Sequence, residues 1–430
     1  MIFSNRLESE VRSYCRSWPA TFSRAEGSLL YDDEGVEYVD FFSGAGALNY
    51  GHNHPRLKAA LIDYIAGDGV THSLDMATEA KEAFLERFET VILRPRGLDY
   101  KVQFPGPAGT TAVEAALKLA RKVTGRQRVV AFTNSFHGMT LGSLSITGNS
   151  MKRDGAGLML SAGASMPFDG YLGEDLDTTQ VIEAYLQDSG SGLDHPAAVV
   201  VETVQAEGGI NVASHDWLRR LADVCRRHEV LLVVDDVQMG CGRAGPFFSF
   251  EPAGIIPDIV CLSKSLSGYG LPFALTLFRP GLDVWEPGEH NGTFRGLNPA
   301  FVTATEALSF WEDDRLSRSV ASKGARVSAV LEALRTAYPE LEGTERGRGL
   351  IHGLACADAG VVEGVVTAAF ERGLIMETSG CESNVLKVLP ALNIDEDHLE
   401  RGLLILDEAI AAALHVERRL APGDVSEVVA

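Results

Sequence analysis

Apolar positions follow two rhythms that alternate through the middle of the chain. Unbroken apolar runs at Val129–Phe132, Ala198–Val201, 231–234 and Ile259–Leu262 read as strands buried on both faces. A strand covered on one face only would alternate apolar with polar residues. Between them lie stretches such as 217–228 with apolar residues three and four apart, the spacing of one helix face. Strands alternating with helices predict an α/β architecture with a mostly parallel, mixed sheet.

After about residue 308 the rhythm changes. The spacing predicts a long amphipathic helix over 315–338, short strands at 349–356 and 385–389, and a closing helix over 397–416. Near the start, LLYDDEGVEYVDF reads as a hairpin that turns at Asp33, Glu34 and Gly35. The expected division is a large domain at 49–308, a small α+β domain built from 1–48 and 309–418, and a flexible tail at 419–430.

Composition narrows the function. A formal net charge of −21 over 430 residues argues against a nucleic-acid partner, which needs a basic face. Six scattered cysteines without metal-ligand spacing suggest a reduced, cytoplasmic setting and no metal. The first residues carry charges where a secretory signal would be apolar. No run reaches the roughly 18 apolar residues of a membrane span.

The chemistry-bearing residues follow the predicted strands, where ligands of open parallel sheets bind. Asp235 ends the run LLVVD. It reads either as a helix cap or as the counter-ion of a protonated pyridine nitrogen, which would make the ring an electron sink. Asp236 beside it reads as a solvated or supporting carboxylate. Lys264 follows the next strand, 29 residues on. Burying an ammonium is costly, and burial lowers the amine pKa, which suits Schiff-base chemistry. Gly109 and Thr110 open a helix after a Gly-rich turn. They read as ordinary caps or as a phosphate site on free N–H groups. Phe136, in Asn134–Ser135–Phe136–His137–Gly138, reads as core or as a ring stacked on a cofactor. His137 reads as structural.

Together, DFFSGAGALNYGHNHP, GPAGTTAVEAALKLARK, NSFHG, VETVQAEGG, VVDDVQMGCGRAG, Lys264 and GTFRGLNP resemble the class-III aminotransferases of the aspartate aminotransferase superfamily, over about residues 7–414. The resemblance implies the fold of fold-type I enzymes dependent on pyridoxal 5′-phosphate. It implies that Lys264 bonds the cofactor, Asp235 pairs with its ring nitrogen and Gln238 with its phenolic oxygen. Phe136 would stack on the ring, and Gly109 and Thr110 would bind its phosphate. Thr293 would reach the phosphate of a neighbouring subunit, so a homodimer or larger assembly with shared sites is implied.

Within that family, MPFDGYLG, KSLSGYGLP, EPGEHNGTFRG and ERGRGL resemble the diaminobutyrate–2-oxoglutarate transaminases of ectoine biosynthesis. Small amino acids and oxo acids are then the partners. Met139 stands where ornithine and γ-aminobutyrate transaminases carry a carboxylate-binding arginine. Lys387 stands where those enzymes have the arginine that partners a gate glutamate, here Glu207. Diaminobutyrate transaminases share both traits. Ala206 replaces the glycine of the usual QGEGG, and its extra methyl is expected to bear on the pocket. Other enzymes on this scaffold, such as an aminomutase or another ω-amino-acid aminotransferase, are the alternatives.

Overall fold

In the computed structural model, residues 4–420 are described. The expected tail lies, from residue 421 on, outside the described residues. Before that point Arg419 is ion-paired to Glu340 and donates to the Ala337 carbonyl.

A seven-stranded sheet forms the centre. Its spatial order is Lys101–Gln103, Leu275–Phe278, Ile259–Leu262, Leu231–Asp235, Ala198–Val201, Val129–Phe132 and Gly163–Met166. Leu275–Phe278 runs antiparallel to both neighbours, and the adjacent pairs from Ile259–Leu262 to Gly163–Met166 are parallel. Side chains alternate between two apolar layers. Val130, Val199, Leu232 and Val260 enter one layer with Trp217 and Leu221 of the helix His215–Arg227. Val129, Val200, Val233 and Ile259 enter the other with Val113 and Leu117 of the helix Gly109–Thr124. Both sheet faces are therefore covered, which is why these strands are apolar throughout.

The C-terminal part forms a four-stranded antiparallel sheet, ordered Thr344–Arg348, Ile351–Ala355, Val385–Val388 and Glu377–Ser379. Helices Arg315–Ala337 and Glu396–Ala413 pack in the same apolar cluster as this sheet. The N-terminal hairpin joins that cluster through Leu29 and Val39. Leu374–Ile375 pairs in parallel with Glu37–Asp40, so segments from both ends of the chain build one core. Among the described residues, no helix is long and apolar enough to cross a membrane.

Candidate active site

Four loops leave the carboxyl ends of adjacent central strands and converge on a cavity of about 310 Å³. Lys264 enters it from the turn after Ile259–Leu262 with φ at +48°. For a residue with a Cβ, that left-handed conformation costs about 1–2 kcal/mol, and such strain concentrates where function needs a side chain aimed. The amine donates to the Ala45 carbonyl at 3.0 Å. Burial pushes it below the ordinary lysine value against the opposing charge of Glu207, a shift in the direction that Schiff-base chemistry needs.

Asp235 ends its strand at the cavity floor. Its Oδ2 lies 2.7 Å from His137 Nδ1, and its Oδ1 accepts from the Val237 N–H at 3.2 Å. Burial pulls His137 down, but the hydrogen bond and charge of Asp235 prevail and raise it. The other ring nitrogen of His137 is buried and finds no partner among the described residues. Asp236 is fully buried rather than solvated, accepts from the Ser249 N–H at 3.0 Å, and is pushed by burial up to about 7.

Helix Gly109–Thr124 points its N-terminus into the same cavity. Thr111 closes the first turn by donating to the Ala108 carbonyl at 2.6 Å. A Cβ on Gly109 would lie 2.6 Å from a methyl of Val237, so glycine lets the helix start approach the loop after Asp235. Thr110 Oγ1 lies 2.6 Å from Thr140 Oγ1. Free N–H groups and the positive dipole end suit a phosphate there.

At the mouth, Glu207 accepts from Lys387 at 2.8 Å and from Gln238 at 3.1 Å. Gln238 also donates to the Ala45 carbonyl at 2.8 Å, so it stands between Glu207 and the carbonyl that holds Lys264. Lys387 is fully buried and has a second carboxylate, Glu377, at 2.9 Å. Burial pushes Glu207 up, but Lys387 and Lys264 outweigh it and hold it at about 2.

Phe136 and Met139 complete the wall. The Phe136 N–H donates to Glu202 at 3.0 Å. Glu202 follows its strand directly, close to where Asp235 ends the neighbouring one, and burial pushes it up to about 8. Thr293 is not brought here. It is exposed, and its carbonyl accepts from His72 at 2.6 Å. Nor does Ala206 line the cavity; it is buried in an apolar cluster with Ile210 and Met239, so its methyl fills core space.

Sequence reasoning passed over Glu202 and Glu377 and gave His137 no role beyond structure. The available signal was position: Glu202 and His137 lie just beyond strands Ala198–Val201 and Val129–Phe132. Among the described residues, no cluster of His, Cys, Asp and Glu forms a metal site. A phosphate cradle, an aspartate backed by a histidine, an aromatic wall and a buried amine with its pKa lowered fit a phosphorylated pyridine aldehyde.

The comparisons with known proteins agree with this chemistry. The family model described as Aminotransferase class-III matches residues 13–410. A diaminobutyrate–2-oxoglutarate transaminase of Halalkalibacterium halodurans is 58% identical over 96% of both chains. One of Nocardia farcinica is 60% identical over 94% of this chain and 92% of its own. The crystal structure of the Toxoplasma gondii ornithine aminotransferase superposes with a TM-score of 0.84 at 26% identity, covering 96% of this chain and 94% of its own. A fold with the strand ends described above, matched in family and structure over nearly its whole length, makes this chain a class-III aminotransferase dependent on pyridoxal 5′-phosphate.

Proposed function

We propose that this aminotransferase interconverts L-2,4-diaminobutyrate plus 2-oxoglutarate with L-aspartate 4-semialdehyde plus L-glutamate. The near-full-length likeness to diaminobutyrate–2-oxoglutarate transaminases carries the substrate pair. The grouping of Lys264, Asp235 and the Gly109 helix start around one cavity supports amino transfer.

The cofactor supplies an electron sink for the carbanion formed at the substrate carbon. Lys264 would hold the cofactor through its amine and would move a proton at the reacting carbon. Asp235, backed by His137, holds the proton on the ring nitrogen. Gly109 and Thr110 bind the phosphate, Phe136 covers the ring face and Gln238 reaches the phenolic oxygen. Glu207 with Lys387 gates the mouth, masking positive charge for the diamine and releasing it for dicarboxylates. Thr293 completes a phosphate site across a homodimer. The enzyme works in the cytoplasm, and its diaminobutyrate feeds ectoine biosynthesis. Residues 49–308 are the cofactor-binding domain, with 1–48 and 309–418 as the two parts of the small domain.

Incubating the holoenzyme with L-glutamate and aspartate 4-semialdehyde tests the reading. Diaminobutyrate and 2-oxoglutarate are expected in equal amounts. Amino transfer to other aldehydes but not to the semialdehyde would overturn the substrate assignment.

A further inference from the structure

A second cavity, of about 330 Å³, adjoins the first and shares Phe136 and Glu207 with it. Among the described residues, its wall carries two carboxylates, Glu207 and Glu377, and one cation, Lys152. The two carboxylates share the single buried ammonium of Lys387, at 2.8 and 2.9 Å. When both are ionised, that trio has one negative charge in excess. Lys387 itself is fully buried, so it offers nothing to a ligand while both glutamates hold it. Lys152 differs. It is partly exposed, rests 5.2 Å from the centre of the Phe136 ring, and has no carboxylate in ion-pair reach among the described residues. Met139 on the neighbouring wall brings no charge.

A diamino acid that reacts at its terminal amine must put its other end somewhere. That end carries an ammonium and a carboxylate on one carbon, and desolvating either without a partner is costly. A wall with both signs, next to the Phe136 face and the Glu207 gate, complements such a zwitterion. We propose that the second cavity is the subsite for the α-amino-acid head of the diamine substrate, with Glu377 and Glu207 receiving its ammonium and Lys152 its carboxylate. This rests on the diamine reading above and extends it by naming Lys152 and Glu377 as specificity-determining residues.

Three amino donors separate the contacts. L-2,4-diaminobutyrate has the whole head, 4-aminobutyrate lacks only the α-ammonium, and 1,3-diaminopropane lacks only the carboxylate. A charged hydrogen bond carries about tenfold to a hundredfold in binding. Lys152→Met should cut the kcat/KM preference for diaminobutyrate over 1,3-diaminopropane by that factor. Glu377→Gln should do the same to the preference over 4-aminobutyrate. Calorimetric titration of the holoenzyme with L-2-aminobutyrate, which keeps the head and lacks the reacting amine, should show weaker binding in Lys152→Met by about tenfold. Lys152 is partly exposed, so that variant keeps the test open if Glu377→Gln fails to fold. A wild-type enzyme inert toward diaminobutyrate would overturn the proposed function. A competent wild type whose donor preference and head binding survive Lys152→Met would overturn the subsite alone.

Discussion

Asp235 and His137 form a buried 2.7 Å pair, and two predictions rest on that corner of the cavity. Asp235→Asn keeps the shape and removes the charge that favours a protonated ring. Losing a preorganised charge of this kind costs about a hundredfold to a thousandfold in kcat. The variant should lose at least that much and retain cofactor less firmly on dialysis. A fall of less than tenfold would move the role to another group. The second prediction concerns Glu202. Its carboxyl ionises near 4.5 when the chain is unfolded and near about 8 when buried. Between those values the unfolded state binds fewer protons, so the group makes stability fall as pH rises and levels the loss above 8. Chemical denaturation of the cofactor-free protein should show Glu202→Gln flattening that decline; identical pH profiles would contradict it. Asp235 and Lys264 were legible in the sequence because each sits one or two residues beyond an apolar run. Glu202 has the same placement, one residue beyond the run Ala198–Val201, but its burial and its contact with Phe136 arise only where loops meet in three dimensions. His137 lies five residues past its strand, and Glu377 is joined to Glu207 through a lysine 180 residues along the chain, so neither stood out.

At the scale of elements, the start of helix Gly109–Thr124 is set by one close approach. An added Cβ at Gly109 would meet Val237 Cγ1 at 2.6 Å, forcing the helix N-terminus away from the loop after Asp235. Gly109→Ala should therefore weaken cofactor binding about tenfold, the order of a lost charged hydrogen bond, as read by fluorescence titration. Gly109→Ala combined with Val237→Ala should recover much of it, because the obstructing methyl is gone. Unchanged affinity in the single variant would remove this helix start from the phosphate site. Interior strands were readable because burial on both faces leaves an uninterrupted apolar run. The edge strands Lys101–Gln103 and Gly163–Met166 are short and partly exposed, so their residues carry no such run. The pairing of Leu374–Ile375 with Glu37–Asp40 was open only as an expectation that the two ends share a domain; no local period encodes a contact over that separation.

At the scale of the molecule, exposed Thr293 lies off the cavity wall of its own chain, and Phe294 beside it is 65% exposed. If Thr293 serves a neighbour's phosphate, activity belongs to an assembly. Mixing inactive Lys264→Ala with a severely impaired Thr293→Asp should restore activity through heterodimers that hold one site with both residues intact. Full activity in concentration-independent monomers would contradict this. The strand ends that line the cavity surround one amine, Lys264, so the identity of the cofactor-bearing lysine is the most direct test. The holoenzyme is reduced with borohydride, digested, and the peptides are sequenced by mass spectrometry. One modified peptide is expected, carrying the pyridoxyl group on Lys264. A label on Lys387, Lys152 or any other lysine, with Lys264 unmodified, would contradict it.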